Sequence, residues 1–221
     1  MTPTVATGPS LASGGRELAR TTRAYVGLGA NLGDAAGTIA AGIHALAALP
    51  GARLRGVSRL YATKPVGVVD QPEFRNAVVA LDVPTGPDPE TGALALLIAL
   101  KGIERAFGRQ ERERWGPREL DLDLLVFGRH RINVGRPQEA RSEDPSKPTD
   151  LVVPHRLAGE RLFVLAPLAD LAPRLVPPGW SETVGKARAR RKATEGKGSV
   201  RSIGQWGEGG WNAHDRRYDS P

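Results

Sequence analysis

The residue pattern predicts an α+β fold, a single domain on a mixed or antiparallel sheet with helices on its faces. Three observations carry this. Strand-like and helix-like stretches follow one another in the order β-α-β-β-α-β through the first 127 residues. That order is the split βαβ arrangement of ferredoxin-like folds. The 221 residues suffice for one domain with a sizeable core, and no internal repeat divides them.

The elements follow in order. Residues 1–20 are polar and Gly/Ser-rich and lack the apolar core of a signal peptide, so they read as a disordered leader. Residues 23–28 form a first strand that runs into the Gly29–Gly33 turn. The glycines there match neither G-x-G-x-x-G nor G-x-x-x-x-G-K-[ST], so the turn is a strand-to-helix connection, not a phosphate loop. Asp34 is placed to cap a helix whose stripe is Ile39, Ile43 and Leu46, ending at Pro50-Gly51. Residues 52–62 read as a strand with imperfect alternation, and 63–73 as a Pro/Gly-punctuated, partly apolar binding loop. A clear strand covers 74–83. A helix follows over about 90–107, with Leu94, Leu97, Ile98, Ile103 and Phe107 on its apolar side and Gly108 at its end.

A charged loop, 109–114, leads into Arg114-Trp115-Gly116-Pro117-Arg118 and a strand carrying Asp121 and Asp123. Gly128-Arg129-His130 reads as a hairpin turn to 131–134. Residues 135–150 read as an exposed insertion, 151–153 as a short strand, and Glu160 onward as a helix with Leu162, Phe163, Val164, Leu165 and Leu168. The folded domain is expected over 21–180, and 181–221 as a basic, largely flexible tail.

The net charge of +7 suggests a nucleic-acid partner, but its distribution argues against one. Residues 186–221 hold nine Lys/Arg and four Asp/Glu, a net of +5; residues 1–20 are +1, which leaves +1 for 21–185. The chain has no cysteine, which excludes disulfides, thiolate metal sites and thiol nucleophiles and fits a reducing, cytoplasmic compartment. No apolar run approaches the roughly 18 residues of a membrane span.

The chemistry concentrates at Asp121 and Asp123. Strand alternation points both carboxylates to one face, with Cα atoms about 6.5–7 Å apart. Leu120, Leu122, Leu124 and Val126 take the other face. Two readings stand: a solvated face of an edge strand, or a metal–phosphate site completed by the neighbouring arginines. In the second, the donors favour Mg²⁺ or Mn²⁺ over Zn²⁺.

Four blocks then resemble one family: Ala24 to Gly33; Tyr61 to Gly67 with Asp70 to Asn76; Ile103-Glu104 and Gly108-Arg109 through Trp115 and Arg118 to Leu124; and Val153-Pro154-His155 through Glu160 to Phe163. In order and spacing they are similar to 6-hydroxymethyl-7,8-dihydropterin pyrophosphokinase, an enzyme of folate synthesis. The resemblance implies Mg²⁺-dependent transfer of pyrophosphate from ATP to the pterin hydroxymethyl group, with AMP leaving. It implies two Mg²⁺ ions on Asp121 and Asp123 and a phosphate clamp from Arg109 and Arg118, these four forming the catalytic set. It places Glu104, Leu124, His155 and Arg161, with Arg109, Trp115 and Arg118, on the nucleotide. It places Thr63, Val66, Phe74, Asn76 and Phe163, with Trp115 as a closing loop residue, on the pterin. The implied partners are these small molecules, with no membrane and no specific nucleic acid, for a chain expected to be a monomer. The chain departs from the family at Glu111, where a second arginine is usual and Arg112 stands beside it. It departs also at Lys101, where Gln is frequent, at Arg156, and at Asp150, where a phosphate-side arginine is common.

Overall fold

The computed structural model describes residues 20–65, 70–108, 117–141, 148–196 and 198–213. The main sheet has the strand order β5-β1-β4-β3-β8-β9, with β2 also on β4. These are β1 (Thr21–Ala30), β2 (Arg53–Val57), β3 (Leu60–Thr63), β4 (Phe74–Pro84), β5 (Asp121–Phe127), β8 (Val200–Gly207) and β9 (Gly210–Ala213). Every adjacent pair is antiparallel. The first five strands, with α1 (Ala35–Ala47) and α2 (Pro89–Ala106) between them, are the split βαβ arrangement expected.

Local chemistry explains the element ends. Asp34 Oδ1 accepts from Gly37 N at 2.9 Å and starts α1, and Asp88 Oδ1 accepts from Thr91 N at 2.9 Å and starts α2. Gly33, with φ +53°, makes the turn between β1 and α1. The expected strand 52–62 is broken at Ser58. Its N–H donates to Val78 O at 2.9 Å, and its hydroxyl accepts from Val78 N at 2.9 Å. One side chain thus bridges a kink between β2 and β3, both of which lie on β4.

The sheet is covered on both faces. On one, Ile39, Ile43 and Leu46 of α1 and Leu97 and Leu100 of α2 pack with Val26, Leu28, Val79, Leu81, Leu122 and Phe127. On the other, α3 (Leu162–Leu171) brings Leu165, Leu168 and Ala169 onto Val78, Leu125 and Val126; the register shift between β1 and β5 at this point turns Val126 to this face, not to that of Leu122 and Leu124 as expected. Beside it α4 (Val184–Glu195) adds Val184 and Ala187.

Three further expectations change. Within 181–221, a largely flexible tail is replaced by α4 and the β8–β9 hairpin over most of 184–213. Thr183 caps α4 through Lys186 N at 3.3 Å, and Arg191 and Glu195 pair at 3.0 Å. Only Val184 and Ala187 are buried in α4, so its sequence lacks an apolar stripe. β8 pairs with β3, and Trp206 and Trp211 pack edge to face at 4.8 Å against the α1 side of the core. Trp211 Nε1 donates to Ala36 O at 3.1 Å, and His44 Nε2 to Gly209 O at 2.7 Å. Second, the turn at Gly128 leads to β6 (Ile132–Gly135), which pairs with β7 (Asp150–Val153) in a separate two-stranded sheet, not with β5. Third, the insertion is not exposed throughout. Gln138–Ala140 form a 3-10 turn under α2, with Ala140 buried and the Glu139 carbonyl accepting from Arg105 Nη1 at 2.9 Å.

Candidate active site

The sheet register builds the site. Asp121 on β5 lies opposite Gly29 on β1, and Gly29 lies opposite Asn76 on β4. One step on, Asp123 lies opposite Gly27, which lies opposite Val78. Directly paired residues share a face. The two carboxylates and the Asn76 amide therefore border a strip whose floor is glycine. A Cβ on Gly29 would stand 3.3 Å from Asn76 Oδ1. Gly29 thus leaves a trough between Asp121 and Asn76, while the place over Gly27, beside Asp123, is met by the Leu125 side chain at 3.4 Å.

Beyond Asn76 the same face continues to Thr63 and Phe74, which pair across β3 and β4. Asn76 Nδ2 donates to Thr63 Oγ1 at 2.9 Å, and both side chains are buried. This bond leaves Asn76 Oδ1 turned to the glycine strip. Farther along, Tyr61 donates to Asp170 at 3.0 and 2.9 Å, and Arg59 forks onto the same carboxylate at 2.6 and 3.1 Å. Burial, then the Asp170 charge, pushes the Tyr61 phenol up to about 12. This network ties β3 to α3 beside the site.

Around the carboxylates, Arg118 Nη1 pairs with Asp121 Oδ2. Glu104, from α2, is buried and accepts from Leu122 N at 2.7 Å. Leu124 turns its side chain into the core, so only its backbone is available to a ligand. His155 follows β7 and donates its N–H to Leu125 O at 2.9 Å. It borders a cleft of about 370 Å³ with Arg131, Asn133, Arg156 and Trp180. That cleft contains neither aspartate nor Asn76, so the carboxylate trough is a separate feature. Arg161 precedes α3 and lies 5.6 Å over the Phe163 ring. Val66, Arg109 and Trp115 lie outside the described residues, as does the 109–116 loop expected to close the site.

Two residues were not singled out from the sequence. Asn31 is buried at the end of β1, and its Nδ2 donates to Gln71 Oε1 at 3.0 Å and Pro72 O at 3.1 Å. Arg136 follows β6 and donates Nε to Asp150 O at 3.1 Å. Burial pulls Arg136 below the ordinary arginine value, while Asp123, Glu104 and Asp150, in that order, pull it back. Its guanidinium therefore lies in the field of the site carboxylates. The signal in the sequence was its place at the end of the strand facing Asp150.

Among the described residues, no group of three or more His, Asp or Glu could hold a metal alone. Two hard carboxylates on one face fit a Mg²⁺-type cation only if the remaining ligands are phosphate or water oxygens. No helix is long and apolar enough to cross a membrane among the described residues.

Residues 25–173 match the family model of 7,8-dihydro-6-hydroxymethylpterin-pyrophosphokinase (HPPK). The chain is 42% identical over 169 residues to the 2-amino-4-hydroxy-6-hydroxymethyldihydropteridine pyrophosphokinase of Methylorubrum extorquens, covering 76% of this chain and 93% of that protein. To the Pseudomonas aeruginosa protein of the same name it is 44% identical over 156 residues, covering 71% and 84%. The fold is similar to the solved wild-type HPPK-DHPS of Plasmodium falciparum, with a TM-score of 0.64 at 15% identity. That match covers 88% of this chain and 50% of the solved one, so the chain spans about half that length. The chain belongs to the 7,8-dihydro-6-hydroxymethylpterin-pyrophosphokinase family.

Proposed function

We propose that the chain transfers the pyrophosphoryl group of ATP to the hydroxymethyl oxygen of 6-hydroxymethyl-7,8-dihydropterin in folate biosynthesis. The hydroxymethyl oxygen gives its proton to solvent and bonds to the β-phosphorus, the bond from that phosphorus to the α,β-bridging oxygen breaks, and AMP leaves with that oxygen. The observation that carries this reading is the glycine-floored trough, with Asp121 and Asp123 on one side and Asn76 on the other. In this reading the two aspartates are the cation-binding edge and Asn76, one strand away across β1, reads hydrogen bonds of the pterin.

The roles follow from chemistry. Two Mg²⁺ ions on Asp121 and Asp123 would neutralise the triphosphate and lower the pKa of the attacking hydroxyl. Arg118, paired with Asp121, is released to phosphate when a cation takes that carboxylate. Arg109 completes the clamp, and His155 and Arg161 hold the rest of the nucleotide. Adenine meets the backbone at Leu124, whose side chain is committed to the core. Arg136 supplies the guanidinium missing at Asp150, because it already lies in the field of Asp123. Phe74 and Phe163 stack the flat pterin, and Asn76, Thr63 and Val66 read its edge. Trp115 closes over both substrates. Positioning and charge stabilisation supply the acceleration, with no strong side-chain base. The protein works as a cytoplasmic monomer.

Incubation with Mg²⁺, ATP and 6-hydroxymethyl-7,8-dihydropterin tests this. Equimolar AMP and pterin diphosphate are expected. ADP as the nucleotide product, or no turnover, would overturn the reading.

A further inference from the structure

We propose that Lys101 and Glu104 form a clasp that sets the geometry of the Asp121–Asp123 pair, making Glu104 a positioning residue, not a contact to the nucleotide. The inference rests on the pyrophosphokinase reading above.

The two residues lie one turn apart on α2, against the free edge of the sheet. Among the described residues, β5 has β1 on one side and no strand on the other. On that open side Glu104 Oε1 accepts from Leu122 N at 2.7 Å. Lys101 Nζ donates to the Leu122 carbonyl at 3.3 Å and to both Glu104 oxygens at 2.8 and 2.9 Å. The pair thus acts on Leu122 as a neighbouring strand would, satisfying its donor and its acceptor.

Leu122 sits between the two aspartates, and its side chain is fully buried on the opposite face. Its N–H belongs to the peptide plane that contains the Asp121 Cα, and its carbonyl to the plane that contains the Asp123 Cα. Holding both groups fixes the two planes, and with them the directions in which the carboxylates leave the strand. No other residue of β5 stands in both planes.

Charge makes the clasp a unit. The Glu104 side chain is only 3% exposed, and a carboxylate that buried needs a cation. Both its oxygens are taken by Lys101 at short range. Without Lys101, Glu104 would add an unbalanced negative charge to the field that Asp123 already sets at Arg136. A Gln at position 101 could bond Glu104 but could not balance it, so the lysine suits an ionised Glu104 in this chain.

The test uses E104Q, K101M and K101R in the full chain, with inorganic tripolyphosphate as a phosphate probe that has no base or sugar. Mn²⁺ binding in the presence of tripolyphosphate is followed by electron paramagnetic resonance. Amide exchange at Leu122 is followed without metal. E104Q and K101M are expected to weaken Mn²⁺ binding about tenfold or more, the usual effect of losing an outer partner of a metal ligand. Both should speed Leu122 exchange and lower kcat, with the KM for the pterin within about twofold. K101R should recover most of the loss. Unchanged Mn²⁺ affinity in both E104Q and K101M would overturn the proposal. So would a loss seen with ATP but not with tripolyphosphate, which would place Glu104 on the nucleoside. If E104Q fails to fold, the K101M and K101R pair still decides. Absence of AMP formation by the wild-type chain would sink the pyrophosphokinase reading alone, because the Mn²⁺ and exchange readouts do not depend on it.

Discussion

Asn31 and Arg118 are joined twice. The Arg118 N–H donates to Asn31 Oδ1 at 2.8 Å, and the Asn31 N–H donates to the Arg118 carbonyl at 3.1 Å. The same amide holds Gln71 and Pro72 through Nδ2. One buried side chain therefore ties the segment before β4 to the segment before β5, which flank the trough from opposite sides.

Asn31→Ala removes the acceptor of the Arg118 N–H and the donor to Gln71 Oε1 and Pro72 O. Stability should fall by about 1–3 kcal/mol, read by denaturant unfolding. Turnover should fall for both substrates together, because both flanking segments lose their tie. A loss confined to one substrate's KM would show that the segments are positioned independently.

Asp121→Ala and Asp123→Ala should each reduce kcat by about 10²–10³-fold or more, the scale of one lost electrostatic contact in a transition state. Both variants should keep the wild-type circular dichroism spectrum, since neither side chain packs in the core. Full activity in either variant would end the two-metal reading.

Gly29→Ala puts a methyl 3.3 Å from Asn76 Oδ1. The Asn76 amide must shift, and the pterin KM should rise about tenfold, the equivalent of about 1.4 kcal/mol. The KM for ATP should move little. Equal effects on both substrates would place Gly29 outside the pterin edge of the trough.

The Tyr61 phenol is raised to about 12 in the folded chain, above its ordinary value of about 10. A raised group stabilises the fold below the unfolded pKa and loses that contribution as pH rises towards the folded value. Stability should therefore decline between about pH 10 and pH 12, and Tyr61→Phe should flatten that decline. Thermal melting across this window checks it. A variant as alkali-sensitive as the parent would assign the decline to other groups.

Removing residues 197–221 should lower the Tm by about 5 °C or more, because β8 leaves β3 and Trp206 and Trp211 leave the α1 side of the core. An unchanged Tm would mean that the hairpin adds no stability to the fold.

The split βαβ order and the D-x-D face were legible in the sequence because they rest on local signals, although the single strand expected over 52–62 is two, β2 and β3. Apolar periodicity set β1, α1 and β4, Asp34 announced its helix, and alternation paired the two aspartates. The C-terminal elements were not legible. α4 buries only Val184 and Ala187, and β8 holds a Gly-interrupted edge, so neither shows a period. The loop tie at Asn31 was also invisible, since its partners are 40, 41 and 87 residues away. A polar contact at that range has no period to read. Likewise Lys101 looked like a departure in a nucleotide contact until its reach to Leu122 gave it a place in the strand edge.

The pairing of β3 with β8 joins residues about 140 positions apart, Thr63 with Val200 among them. During synthesis at about 5–20 residues per second, the β3 edge waits several seconds for its partner. In that interval the nascent sheet presents unpaired backbone along β3, the feature that templates edge-to-edge association. Messages truncated before codon 200 should therefore yield chains that hold Asp121, Asp123 and Asn76 yet collect in inclusion bodies.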